Sequence, residues 1–245
     1  TMPSSTGFQP SSEQLQLLQT ASEFAYQVWQ SRTGACQTFL RSYPLESTLT
    51  RQQIDDLIQD YTLDENYQLA NEDKVMSGLR HLRMLLMMRW IWQDANQLTD
   101  VVTLTRELSD FADASLCAAK DFSLKPLIEK HGEPIGFSGQ VQDLIVIGMG
   151  KLGAQELNLS SDIDLIFAFD EGGETNGQKI HGQKSIDNQQ FCIQWGQSVI
   201  RLLDQVTQDG FVFRVDMRLR PWGDGSALAL SYAALERYLA QHGRE

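Results

Sequence analysis

Two textures divide the chain. Through the first half, apolar residues return every three or four positions. Leu15, Leu17, Leu18, Ala21, Phe24, Ala25, Val28 and Trp29 predict one helix over 12–30, with Ser11 or Ser12 as its cap. Thr50 is placed to cap a helix starting at Arg51, with Ile54, Leu57 and Ile58 on one face. From Glu72 to about Gln93, Val75, Leu79, Leu82, Leu85, Leu86, Met87 and Trp90 mark a long helix. Thr99 is the expected cap of another, to about Lys120, through Val102, Leu104, Leu108, Phe111, Ala112, Leu116 and Ala119. Met84, Met87 and Met88 read as packing, since methionine fills irregular core gaps.

Near residue 122 the helical period stops. Pro126, Gly132, Pro134, Gly136 and Gly139 predict an irregular connection. Short β-branched runs follow. Leu144 to Ile147 reads as a strand ending in Gly148, and Ile163 to Phe169 as a second, with room between them for one helical turn. Residues 170–187 are polar and hold Gly172, Gly173, Gly177 and Gly182, which predicts a mobile loop or long hairpin. A helix is expected over 188–206, a turn at Asp209-Gly210, a third strand from Phe211 to Leu219, and a closing helix over 231–240. The fold class is therefore α+β: a helical region over 1–125, then a mixed-sheet core with flanking helices over 126–245. No internal repeat is visible.

Composition narrows the function. The chain has 245 residues, 42% hydrophobic and 21% charged, enough to bury a core without a metal or disulfide staple. Its net charge of −12 argues against a non-specific partner for nucleic acid or anionic membranes, because nothing neutralises a phosphate array. No apolar run approaches the roughly 20 residues of a membrane span. The start, Thr1-Met2-Pro3-Ser4-Ser5, has neither a basic nor an apolar signal region. Cys36, Cys117 and Cys192 form no pair and no metal spacing, so reduced, buried thiols in a cytoplasmic protein are expected. His81, His131, His181 and His242 have no zinc-like spacing and read as ordinary histidines.

The stretch that carries chemistry runs from Gly148-Met149-Gly150-Lys151-Leu152-Gly153 to Ser161-Asp162-Ile163-Asp164. On a strand, Asp162 and Asp164 share a face, roughly 7 Å apart along the backbone. Neighbouring carboxylates repel unless a cation compensates them, and Mg²⁺ suits oxygen ligands shared with phosphates. Gly150, twelve positions before Asp162, sits in a turn whose backbone N–H groups can cradle phosphate, and Lys151 adds a point charge. On the third strand, alternation puts Asp216, Arg218 and Arg220 on one face, giving one more carboxylate and two guanidiniums suited to phosphate. Gly148-x-Gly150-x-x-Gly153 matches a dinucleotide fingerprint on paper, but Asp162 arrives too soon for the crossover helix that fingerprint opens. No P-loop is present.

A glycine turn, a short helix, an Asp-x-Asp strand and a later acidic strand resemble the polymerase-β-like nucleotidyltransferases. More closely, Gly148 to Gly153, Glu156-Leu157-Asn158, Ser161 to Phe167 and Arg214 to Pro221 resemble the bifunctional glutamine synthetase adenylyltransferase/adenylyl-removing enzymes. The Glu-Leu-Asn form and Phe213-Arg214-Val215-Asp216-Met217-Arg218-Leu219-Arg220-Pro221 are similar to the N-terminal, adenylyl-removing half. Ala154 departs from the family, which usually carries a second glycine there. That family holds two catalytic halves in one long polypeptide, so this chain is expected to be a piece of one. The resemblance implies deadenylylation of glutamine synthetase: phosphate attacks the adenylyl-tyrosine and releases ADP. It implies Mg²⁺ on Asp162, Asp164 and Asp216, phosphate or nucleotide contacts at Gly150, Lys151, Ser161, Arg218 and Arg220, and a PII-type signalling protein as a further partner. Two alternatives stand beside this: adenylyl transfer from ATP to the tyrosine, and a catalytically incomplete nucleotide-binding module.

Overall fold

The computed structural model describes residues 8–64, 71–177 and 184–243. The chain divides into two units, Thr1–Phe111 and Ala112–Glu245.

The first unit is helical: α1 (Ser12–Ala21), α2 (Glu23–Ser31), α3 (Thr33–Ser42), α4 (Arg51–Thr62), α5 (Glu72–Ala95) and the first part of α6 (Val101–His131). Two polar signals do what their spacing predicts. Ser11 and Thr50 each close a capping box, with Gln14 and Gln53 respectively. The single helix expected over 12–30 is broken at Ser22. That residue is extended, with φ −159°, and its hydroxyl accepts the Ala25 N–H to start α2. The cap of α6 is Asp100 rather than Thr99: its carboxylate accepts the Thr103 N–H at 2.8 Å. Gly78 lets α5 lie against α4, since a Cβ there would sit 1.9 Å from the Tyr61 carbonyl oxygen. Met87 and Met88 are buried, as packing requires.

An internal ion pair ties this unit together. Arg89 and Glu107 are both buried, with Arg89 Nη1 at 3.4 Å from Glu107 Oε2. Arg89 also donates to the carbonyls of Tyr43, Pro44 and Ser47, and Glu107 accepts from Trp90 Nε1 at 2.7 Å and from the Leu49 N–H at 2.8 Å. Two buried charges are tolerable because their remaining hydrogen-bonding groups are satisfied.

In the second unit α6 continues to His131, past the end expected near Lys120 and through Pro126. Proline removes one helical hydrogen bond. Leu127 and His131 are buried beyond it and hold the last turns, and Gly132, with φ +78°, ends them. The remaining elements are β1 (Pro134–Gly136), β2 (Ile145–Met149), α7 (Gly150–Gly153), β3 (Ile163–Phe169), β4 (Gly173–Thr175), α8 (Asn188–Asp204), β5 (Val215–Asp216), a 3-10 turn (Gly223–Gly225), β6 (Ala229–Ser231) and α9 (Tyr232–His242).

β3 is the centre of a four-stranded mixed sheet. β2 pairs with it antiparallel, while β5 and β6 pair with it parallel, β5 at its start and β6 at its end. The sheet strand expected over 211–219 is only Val215–Asp216. Upstream, the N–H groups of Val212 and Phe213 both go to the Leu203 carbonyl. Downstream, Asp216 accepts the Arg218 N–H at 2.8 Å, an Asx-type turn that takes the chain out of the sheet. Within the expected 170–187 loop, β4 pairs antiparallel with β1, and residues 178–183, with His181 and Gly182, lie outside the described residues. α8 closes on the sheet through Gly196, where a Cβ would meet the Phe167 ring at 2.6 Å. Cys36 and Cys192 are buried, but Cys117 is exposed, against the expectation for all three. Among the described residues no helix is long and apolar enough to cross a membrane.

Candidate active site

The site lies at the start of β3. Ile163 and Leu165 are fully buried, so the alternating positions 162 and 164 face outward: Asp162 is exposed and Asp164 half-buried. The sheet register then fixes the neighbours of Asp164. On one edge it pairs with Met149, the last residue of β2; on the other it pairs with Asp216 of β5. Two distant segments thus bring Asp162, Asp164 and Asp216 to one place, as their patterns predict.

The glycine turn abuts the central carboxylate. Gly150 has φ +53°, a region open to glycine, and a Cβ built on it would lie 2.5 Å from Asp164 Oδ2. Lys151 follows on α7 and reaches Ser161, its Nζ at 3.4 Å from the hydroxyl. Ser161 in turn donates to Asn158 Oδ1 at 2.7 Å, so Asn158 supports the loop before Asp162. Gly150, Lys151 and Ser161 therefore gather beside the acids.

The two other predicted residues separate. Arg218 folds back on Asp216, with Nε at 2.8 Å and Nη2 at 2.5 Å from Oδ2. Arg220 does not share that face, because β5 ends at Asp216. Its Nη1 donates to the Met217 carbonyl at 2.7 Å and to Asp224 at 3.2 Å. Arg214 is a further residue of the site that the sequence reading passed over. Its Nε donates to Asp162 Oδ1 at 2.5 Å and its Nη2 to the Ser160 carbonyl at 3.0 Å. The signal was present: Arg214 lies two residues before Asp216, and alternation puts both on the same face.

The charges respond to this crowding. Burial and repulsion from Asp216 and Asp162 push the Asp164 carboxyl above its ordinary range, opposed by Arg218 and Lys151. The Asp216 carboxyl is held below that range by its hydrogen bonds from Arg218. Among the described residues no three His, Cys, Asp or Glu side chains are drawn into a ready-made metal group. The donor chemistry nonetheless fits a hard divalent ion: all-oxygen carboxylate donors, with Asp162 and Asp216 both acting on Asp164 and guanidiniums as the present counter-charges on those two.

A mixed sheet that aligns carboxylates from a central strand and its parallel neighbour, beside a glycine turn and a lysine, is the α+β arrangement that the resemblance to nucleotidyltransferases implies. Comparison with known proteins narrows the class. A family profile described as glutamate-ammonia ligase adenylyltransferase matches residues 12–245, and the chain belongs to that family. It is 61% identical over 237 residues to a bifunctional glutamine synthetase adenylyltransferase/adenylyl-removing enzyme of Acinetobacter baylyi, covering 95% of this chain and 24% of that one. It is 51% identical over 176 residues to the enzyme of the same name from Pseudomonas putida, covering 71% and 18%. With that of Shewanella oneidensis it shares 44% over 195 residues, covering 79% and 20%. The chain thus spans about a quarter or less of the length of these relatives.

Proposed function

We propose that the protein removes AMP from an adenylylated tyrosine of glutamine synthetase by phosphorolysis. The observation that carries this reading is the pairing of Asp164 with Asp216 across β3 and β5, with Asp162 on the same face and the Gly150 turn alongside. Removal is favoured over addition by Glu156-Leu157-Asn158 and by Phe213 to Pro221, which resemble the removing half of the family.

In the reaction an oxygen of inorganic phosphate bonds to the AMP phosphorus as the bond from that phosphorus to the tyrosine oxygen breaks. ADP leaves, and the tyrosine departs as a phenolate that takes its proton from water. A phenol with a pKa of about 10 is a good leaving group, and phosphate is already anionic, so little base catalysis is needed. The demand is for alignment and charge neutralisation. Asp162, Asp164 and Asp216 would hold Mg²⁺, which supplies positive charge against the phosphate oxygens when bound. Lys151 and Ser161 would bind a phosphate oxygen, and Gly150 keeps the turn close enough to Asp164 for phosphate and carboxylate to be neighbours. Arg218 supplies a guanidinium fork beside Asp216. A PII-type protein as a regulatory partner and a cytoplasmic setting complete the reading.

The test is to mix the protein with adenylylated glutamine synthetase, phosphate and Mg²⁺. ADP should appear, and Asp162→Asn should abolish it while urea unfolding of the protein is unchanged. Pyrophosphate from ATP and unmodified glutamine synthetase, with no ADP from phosphate, would reverse the assigned direction. ADP release by the variant at the parent rate would end the acidic-site reading.

A further inference from the structure

Arg214 has no place in the mechanism above, yet it is bonded to the first carboxylate of the site. Its guanidinium bridges Asp162 and the Ser160 carbonyl, and its Cζ lies 5.8 Å from the Phe211 ring centroid. Arg218 does the same for the third carboxylate, binding Asp216 through its side chain and its own N–H. The central carboxylate, Asp164, pairs with Asp216 across the sheet and lies two residues from Asp162 on its own strand. Two guanidiniums thus stand where a divalent ion needs the oxygens they occupy, and their combined charge equals that of one such ion.

The two arginines are held unequally. The Arg214–Asp162 pair is open to solvent on both sides, its side chains 56% and 44% exposed, and such a pair is worth at most about a fivefold bias in equilibrium; Arg218 is 76% exposed but its partner Asp216 only 13%, and that two-pronged pair is the firmer of the two. A divalent cation can displace Arg214 at small cost and competes with a firmer hold at Asp216. Once released, each guanidinium is a planar fork beside the site, matched to phosphate oxygens.

We propose that Arg214 and Arg218 are resident counter-ions of the site, exchanged for the divalent cation and transferred to the phosphates of the nucleotide. This rests on the acidic-site reading above and deepens it. The cation opens the two pairs; the nucleotide captures the freed arginines; each ligand therefore favours the other. Linkage requires the coupling to be reciprocal, and couplings of this kind are typically 5- to 150-fold.

The experiment measures binding rather than turnover. Mn²⁺ is titrated by electron paramagnetic resonance and ADP by calorimetry, each with and without the other, on the parent protein, Arg214→Gln and Arg218→Gln. The exchange predicts opposite effects in each variant. Mn²⁺ alone should bind about two- to fivefold tighter, because a competitor is gone. ADP in the presence of Mn²⁺ should bind at least about tenfold weaker, and the coupling should shrink in proportion. Arg218→Gln keeps the backbone N–H that bonds Asp216, so it serves as the second variant if Arg214→Gln misfolds. Mn²⁺ and ADP affinities that fall together would assign the arginines a structural role and overturn the exchange. Unchanged affinities would overturn it too. Failure of the parent protein to bind Mn²⁺ at all would remove the acidic-site reading itself, and the exchange with it.

Discussion

Replacing Gly150 by alanine isolates the close approach between the glycine turn and Asp164. Two costs arise, and they fall on different observables. The backbone stands at φ +53°, where an L-residue pays about 1–2 kcal/mol. For a chain of this size, 1 kcal/mol lowers Tm by roughly 2–4 °C, so a drop of about 2–8 °C is expected. The new Cβ would lie 2.5 Å from Asp164 Oδ2, whereas ordinary contact begins near 3.4 Å. A carboxylate at the end of a side chain relieves that contact by rotating away, so the fold survives and the site does not. A displacement of about 1 Å costs on the order of a hundredfold in a reaction that depends on alignment. Gly150→Ala should therefore lose about 100-fold in kcat/KM for ADP release with a modest loss of stability. Gly150→Asn separates the two costs: asparagine tolerates the left-handed region, so Tm should recover while activity stays low. Thermal melts and phosphate-dependent ADP release measure both. Activity of the alanine variant within about threefold of the parent, or recovery of activity by asparagine, would refute the steric reasoning.

Glu107→Ala should destabilise the helical unit by about 3–5 kcal/mol, read as a lower urea midpoint, because it leaves the Arg89 charge buried without its partner. Iodoacetamide at pH 8 should add one adduct by intact mass, at exposed Cys117; burial pushes the thiols of Cys36 and Cys192 up to about 11 and about 12, leaving them without reactive thiolate. Asp164 should give a pH-dependent signature in metal-free buffer. Its folded pKa is raised, so the folded state holds the proton longer than the unfolded chain, and stability falls as pH rises from about 3.9 through the folded value. Asp164→Asn should then be more stable than the parent at pH 7, with the gain gone below that window; urea midpoints at the two pH values decide it.

What the sequence made legible was local. Thr50 as a helix cap, the apolar stripe from Val75 to Trp90, and Ile163 to Phe169 are each decided by neighbours within a few residues, and each forms where its pattern places it. The alternation around Ile163 was enough to bring Asp162 and Asp164 to one face. The misses have non-local or competing causes. Ser22 fits a helical period, but its hydroxyl does more as the cap of a second helix. Pro126 argues for a stop, yet the burial of Leu127 and His131 outweighs one lost hydrogen bond. The length of β5 was hidden because the bonds that shorten it run to Leu203 at one end and from Arg218 to the Asp216 side chain at the other. Arg220 was carried onto the acidic face by extending an alternation that stops at Asp216.

The shortness of β5 bears directly on the site. A parallel pairing of two residues has little register information of its own, and a slip by one would turn Asp216 to the buried face and put Val215 beside Asp164. The contacts that prevent it flank the pair. Before it, the Arg214 carbonyl accepts the Ile163 N–H at 2.9 Å while the Arg214 side chain holds Asp162 and Ser160, so residue 214 grips the start of β3 twice. After it, the Asx turn at Asp216 forces the chain away, and no longer ladder can form in another register. The residues that neutralise the acids are thus also those that align the strands bearing them. The arginines that flank β5 offset the charge of the carboxylates beside it, and the backbone bonds of Arg214 and Arg218, from Ile163 and to Asp216, hold so short a strand in register whether or not their side chains stay on the acids.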